Sequence, residues 1–373
     1  MKFEVLFRSK KSRARVGRIH TPHGIIETPA FVPVGTNGAL KALDSVAVSN
    51  LETQIMFCNT YHLMIQPGED IIEKAGGLHK FMNRTGPIIT DSGGFQVFSL
   101  LYGGVAQELK SKGTKKRDSG VVKITEEGVT FRSYRDGRKI EMTAETSIGA
   151  QKKIGADLIV AFDELPPYHL SPENLKKSFE RTHRWEKRSL DAHKADPRNQ
   201  AMYAVIHGGM DRQLRKKSCQ ILGDQDFDGF GIGGSVGKDC PEMLQLLTDI
   251  MPFVPDDRPN HLLGIADLPA LAGAIPLGVD TFDSAHPTKC ARHGMALTKF
   301  GGLRILKSGN EILMQPIEIG CECYTCQNYT VAYINHLFKA HEMSAYTLMT
   351  IHNLHYMNRL MKKYRQDILD GLI

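Results

Sequence analysis

Nowhere do roughly 18 apolar residues run together, the length that a membrane-spanning helix needs, and no apolar stretch follows Met1-Lys2-Phe3-Glu4 as it would in a secretory leader. A chain with no membrane segment, working in the cytoplasm, is the expectation. Cysteine is scarce. The seven present are an odd number, three of them crowd into positions 321–326 and the rest stand singly, which argues against a disulfide framework and for a metal site in a reducing compartment. Low-complexity tracts and near-identical repeats are missing, and apolar residues are not in short supply, at 41% against 24% charged, so a disordered chain is excluded. Net charge is only mildly one-sided at +6, which is compatible with a polyanionic partner without requiring one. Basic residues do cluster at 8–13 (RSKKSR), 110–117 (KSKGTKKR), 181–188 (RTHRWEKR) and 212–217 (RQLRKK), and each cluster suits either a phosphate track or an ordinary solvated face. A length of 373 residues accommodates one α/β barrel of about 250 residues with an appendage.

What is present is a short apolar run that stops at a polar residue or glycine, and it recurs eight times. The runs end before Gly35, Asn59, Asp91, Asp163, His207, Gly233, Gly264 and Asp283. Continuous apolar runs suit strands buried on both faces, and stretches such as 172–193 and 241–251 supply helical periodicity between them. Eight such units predict a (β/α)8 barrel over 1–300, with a doubly wound open sheet as the competing topology. In a barrel the residues at the carboxyl ends of the strands line the active site, so Asn59, Asp91, Asp163, His207 and Asp283 should converge. The long interval between Asp91 and Asp163 predicts an excursion at about 103–145, with residues 121–142 as an inserted β-hairpin.

Asp91 opens Asp91-Ser92-Gly93-Gly94-Phe95-Gln96, where glycines let backbone approach a flat ligand and Phe95 offers a stacking face. On its own it serves equally as a helix cap. Asp283 precedes His286-Pro287-Thr288-Lys289-Cys290-Ala291-Arg292, whose cations suit phosphates beside a reacting sugar. Two carboxylates at a sugar permit double displacement with retention, one attacking the anomeric carbon and the other managing protons. Spacing alone identifies neither the sugar nor the leaving group.

Cys321-Glu322-Cys323-Tyr324-Thr325-Cys326 is a tight knuckle of three thiols that a histidine would complete as a tetrahedral zinc site. Spacing leaves His336, His341, His352 and His355 all eligible. With four protein ligands the zinc, one per subunit, would be structural, stapling C-terminal helices near 331–339 and 345–363 to the barrel as a subdomain spanning 301–373.

Taken together, Thr28-Pro29-Ala30-Phe31, Asn59-Thr60-Tyr61-His62-Leu63, the DSGGFQ segment, Phe162-Asp163-Glu164, Arg184-Trp185, the Asp283 segment and the CxCxxC knuckle make this chain resemble the tRNA-guanine transglycosylase (queuine tRNA-ribosyltransferase) family. The resemblance covers nearly the whole chain. It implies a barrel with a zinc subdomain, and a pentosyltransferase that exchanges the wobble guanine of tRNAs with a G-U-N anticodon for a 7-deazaguanine base without ATP. By the same resemblance Asp283 is the nucleophile on the ribose and Asp91 the general acid/base. Ser92, Gly93, Gly94, Phe95, Asp163, His207, Gly234 and Leu263 form the base pocket, with Phe95 and Leu263 around the flipped-out ring. Gly264, Ala270, Thr288, Lys289 and Arg292 fall on RNA-holding positions, His352 is the zinc histidine, and a homodimer is implied.

This chain departs from the bacterial family pattern in three places. His207 replaces a glutamine, Leu165 replaces a cysteine, and a loop ending in an acid is shortened to Gly233-Gly234-Ser235-Val236-Gly237-Lys238. A lysine disfavours the cationic 7-aminomethyl-7-deazaguanine and a shorter loop leaves room for bulky queuine, so queuine is the expected base and the aminomethyl precursor the alternative. A non-catalytic RNA-binding accessory subunit is disfavoured because both Asp91 and Asp283 are present.

Overall fold

The computed structural model describes residues 1–102, 109 and 123–373. Three antiparallel strands come first, β1 (Lys2–Arg8), β2 (Arg15–Thr21) and β3 (Gly24–Thr28). The barrel begins with β4 (Ala30–Pro33), β5 (Met56–Cys58) and β6 (Ile88–Thr90). An excursion carries β7 (Lys123–Ile124), β8 (Gly128–Arg132) and β9 (Lys139–Thr143). The barrel then resumes with β10 (Leu158–Val160), β11 (Ala201–Ile206), β12 (Gly229–Ile232), β13 (Asn260–Leu262) and β14 (Thr281–Ser284). Its eight strands are parallel neighbours in chain order; β14 pairs with β4, and a bridge between Val34 and Phe57 joins β4 to β5 and completes the circle. Closure rules out the open doubly wound sheet, and every one of the eight apolar runs is a barrel strand. Beyond β14 lie β15 (Met295–Thr298) and β16 (Gly301–Arg304), an antiparallel pair.

Both faces of each barrel strand are buried, which is why the runs are apolar without a break. On β11, for example, Ala201, Tyr203 and Val205 belong to the inner cluster with Val32, Phe57 and Val160, while Met202, Ala204 and Ile206 pack outward against the helices. Ile19 of β2 and Ile26 of β3 join the inner cluster, so the first sheet floors the barrel. The intervening helices begin on side chains that satisfy first-turn N–H groups: Thr143, Ser171, Asp211, Asp239 and Asp267 each accept from backbone one turn on.

At the floor two carboxylates have purely internal work. Asp280 takes a bidentate pair from Arg15 at 2.8 and 2.7 Å and the Asn260 N–H at 2.8 Å. Asp157 accepts from the N–H groups of Ile88 and His23. Such bottom-end residues hold strands in place, whereas the opposite rim is left for chemistry.

Residues 121–142 were expected to form a hairpin; the described part is a three-stranded antiparallel sheet, β7-β8-β9, because tight turns at both ends of β8 fold the segment twice. This sheet is anchored by Trp185, which is fully buried, stacks on Phe162 at 4.9 Å and donates its indole N–H to the Glu126 carbonyl. The basic cluster 110–117 lies outside the described residues. Cluster 181–188 is spent on internal pairs, Arg181 with Glu164, Arg184 with Glu126 and Arg188 with Glu145, rather than on an open phosphate track.

A second core of Ala291, Ala296, Ile305, Ile317, Val331, Ile334 and Leu348 surrounds the three cysteines. The last helix, Ser344–Leu369, ties it to the barrel: Asn353 bonds Leu297, Pro287 and Met295, and Arg365 donates to the Pro29 carbonyl. Among the described residues no helix is long and apolar enough to cross a membrane.

Candidate active site and metal centre

All five strand-end residues that were expected to converge stand at the carboxyl rim, and each carboxylate sits in a different environment. Asp91, just past β6, accepts from Asn59 Nδ2 at 2.7 Å, the Thr60 N–H at 2.7 Å and Gln96 Nε2 at 3.1 Å. Burial nevertheless pushes its carboxyl up to about 6, against the pull of those three donors and helped by the charge of Asp163. A carboxyl poised there can give and take a proton near neutral pH.

Asp163 is fixed from two sides: Ser92 Oγ donates to Oδ1 at 2.5 Å, and His207 Nε2 lies 2.9 Å from Oδ2. Each oxygen retains a lone pair for a second donor, so Asp163 can accept two parallel N–H groups from a planar base. Gly94 is needed for this arrangement, because a Cβ there would sit 2.4 Å from the Asp163 carbonyl oxygen. Gly234, at φ +77°, lies against His207 Nδ1. Phe95 is half exposed, and Leu263 packs at the top of the inner cluster.

Asp283, on β14, is held through one oxygen only: Oδ1 accepts from the Gly264 N–H at 2.6 Å and lies 2.9 Å from His261 Nε2. Among the described residues no donor bonds Oδ2. His261 was not singled out in the sequence because it opens an apolar run; its inward direction follows only from its register opposite Thr281. Gln96 was likewise quoted without a role. Arg215 looked like part of a solvated basic run, yet it is wholly buried and donates to the carbonyls of Ile206, Gly209, Gly233 and Ser235, fixing the ends of β11 and β12.

The expected RNA-holding residues divide. Lys289 is exposed and Arg292 half-buried, and with His286, His293, Arg304 and Lys307 the lysine lines a basic hollow of about 690 Å³. Gly264 is exposed. Thr288 and Ala270, by contrast, are buried at 1% and 0% and show no surface to a polyanion.

Cys321, Cys323, Cys326 and His352 form one buried cluster with ligand atoms within 4.8 Å of one another. Their sulfurs stand 3.9, 3.5 and 3.4 Å from His352 Nδ1, bracketing the edge of about 3.6 Å that a tetrahedral ion of zinc's size sets between thiolate and imidazole. His352 Nε2 lies 2.9 Å from the Leu297 carbonyl and so carries the proton, which leaves Nδ1 as the ligating nitrogen. The residues therefore fit a metal ion with every coordination position supplied by protein.

A closed (β/α)8 barrel with three carboxylates in different environments on its carboxyl rim and a Cys3His cluster beyond it has the architecture of a barrel enzyme. A family model described as Queuine tRNA-ribosyltransferase matches residues 10–373. The queuine tRNA-ribosyltransferase of Protochlamydia amoebophila is 61% identical over all of this chain and 96% of its own, and those of Chlamydia caviae and Chlamydia trachomatis are 52% and 50% identical over the full length of both chains. The chain belongs to the queuine tRNA-ribosyltransferase family and is a pentosyltransferase.

Proposed function

We propose that this enzyme exchanges the wobble guanine of tRNAs with a G-U-N anticodon for a 7-deazaguanine base, through a covalent ribosyl ester on Asp283. In the first half, Asp283 Oδ2 bonds to the ribose C1′ as the bond from C1′ to the guanine nitrogen breaks, and Asp91 gives its proton to the departing base. In the second, Asp91 takes the proton from the ring nitrogen of the incoming base, that nitrogen bonds to C1′, and the Asp283 carboxylate leaves. Bonds and protons balance without ATP. The observation that carries this reading is the contrast between Asp91, buried and raised to about 6, and Asp283, fixed through one oxygen with the other open. Asp163 reads the base edge between Phe95 and Leu263, and Lys289 and Arg292 hold backbone phosphates.

The metal is zinc, one per subunit, and its role is structural, since the cluster leaves no open position. Residues 1–300 form the catalytic unit and 301–373 the zinc subdomain, a division supported by the separate core around the cysteines, which Ala291 and Ala296 join from the first unit. The enzyme works in the cytoplasm as a homodimer; support for an interface comes from Ile312, Met314, Ile319 and Tyr324, all exposed on the zinc subdomain. Queuine is the incoming base.

Incubating the protein with an unmodified U-G-U anticodon stem-loop and radiolabelled guanine tests the reaction. Label should enter the RNA with wild type and not with Asp283→Ala, and queuine should compete better than the aminomethyl base. RNA binding without label entry by wild type would sink the mechanism. Clear preference for the aminomethyl base would overturn the substrate assignment alone.

A further inference from the structure

We infer that His261 is the positioning residue for the nucleophilic carboxylate of Asp283, an assignment that rests on the reading of Asp283 as nucleophile. Thr281 and Asp283 are two residues apart on β14 and therefore point to the same face. On the neighbouring strand β13, His261 stands in register with Thr281, so its ring spans both: Nδ1 lies 2.8 Å from Thr281 Oγ1 and Nε2 lies 2.9 Å from Asp283 Oδ1. The Thr281 hydroxyl, which donates to the Asn260 carbonyl at 3.1 Å, anchors the ring at Nδ1, while Nε2–H donates to the carboxylate. The ring is 1% exposed and lies roughly parallel to Phe57 at 6.0 Å, so it has little freedom to turn.

A carboxylate held at one point can swing about its own axis. Asp283 Oδ1 instead receives two donors, His261 Nε2–H and the Gly264 N–H at 2.6 Å, and both come from β13 and the turn that follows it. Rotation is thereby stopped and Oδ2 becomes the single oxygen presented to the sugar. The same two N–H groups serve throughout the exchange. When Oδ2 bonds to C1′, Oδ1 becomes the ester carbonyl oxygen and keeps both donors. When the incoming base displaces the ester, negative charge returns to a carboxylate whose donors are already in place, so no reorganisation is required at that moment.

A histidine that merely filled space would affect stability and leave the chemical step alone. His261→Phe preserves a ring against Phe57 but removes the donor; His261→Gln keeps a side-chain N–H of similar reach; Thr281→Val removes the ring's other anchor while sparing both His261 and Asp283. Label exchange and formation of the denaturation-resistant RNA adduct should be measured for all three, with Asp283→Asn alongside. We expect kcat to fall about 10²-fold in His261→Phe with the KM for RNA within about threefold of wild type, since a displaced reacting group costs roughly that much. His261→Gln should recover about tenfold of the loss, and Thr281→Val should lose about tenfold in kcat. Should His261→Phe fail to fold, His261→Gln and Thr281→Val decide the matter by the same split between kcat and KM. Wild-type kcat in His261→Phe, or equal losses in His261→Phe and His261→Gln, overturns the assignment of His261. Exchange surviving in Asp283→Asn overturns the nucleophile instead, so the two failures are distinct.

Discussion

His207 and Asp163, just past the carboxyl ends of adjacent barrel strands, are joined by a contact of 2.9 Å between Nε2 and Oδ2, while Nδ1 of the same buried ring has no hydrogen-bonding partner among the described residues. A buried nitrogen with nothing to bond is costly unless a ligand completes it. Nδ1 lies against Gly234, which the family resemblance assigns to the base pocket. His207→Ala should therefore raise the KM for free guanine at least tenfold, about 1.4 kcal/mol, while the Kd for the RNA stem-loop stays near that of wild type. An equal weakening of both would show that the ring only supports the rim.

Asp91 makes stability depend on pH in a direction opposite to that of most aspartates. Its folded value is raised from 3.8 to about 6, so the native state binds the proton more tightly than the unfolded chain. The group's contribution is then most favourable below about pH 4 and is lost as pH rises through 6, by at most about 3 kcal/mol for some two units. Relative to wild type, Asp91→Asn should melt at a higher temperature at pH 8 than at pH 5, while its base exchange is abolished at both. A difference in Tm that does not change between the two pH values would show that Asp91 is ionised throughout.

Metal removal should act through the last helix rather than at the rim. His352 sits in Ser344–Leu369, the helix whose Asn353 and Arg365 bind the barrel, so an ion held by the cluster would join two cores. Cys326→Ser should lower Tm by roughly 10 °C, from about 3–5 kcal/mol at 2–4 °C per kcal/mol. At a temperature where the variant is still folded, its kcat should remain within about threefold of wild type. Loss of kcat in a fully folded variant would instead assign the metal to the chemistry.

The rim was readable in the sequence because buried parallel strands are uninterrupted apolar runs, and Asp91, Asp163 and Asp283 stand out where those runs break. The metal-binding knuckle was readable because its three thiols fall within six positions, although spacing could not choose among four histidines and only the resemblance favoured His352. His261 was hidden for the converse reason. It opens a run and reads as part of it, and which face it takes depends on the register of β13 against β14, which no local pattern encodes. Arg215 was hidden because a charge cluster reads as a solvated face, whereas four carbonyl acceptors pay for its burial. The excursion's third strand escaped because β7 has only two residues, too few to display alternation.

The loop after β12, Gly233 to Lys238, is less bare of acid than its sequence suggests. Glu242, from the first turn of the next helix, accepts the Lys238 N–H at 2.7 Å and the Tyr168 hydroxyl at 2.8 and 3.0 Å. This carboxylate is committed to closing the loop, which leaves the exposed Lys238 side chain as the charge that an incoming alkylammonium would meet. Reversing that charge with Lys238→Glu should shift the kcat/KM ratio toward the aminomethyl base, away from queuine, by about two- to fivefold, the range of about 0.5–1 kcal/mol that a solvent-exposed pair supplies. The shift should shrink as salt is raised, since such charges are screened over about 10 Å at 0.1 M. Glu242→Gln, by contrast, should weaken both bases alike because it loosens the loop without altering the charge at its tip. Identical base ratios in wild type and Lys238→Glu would mean that base choice is made by the shape of the loop.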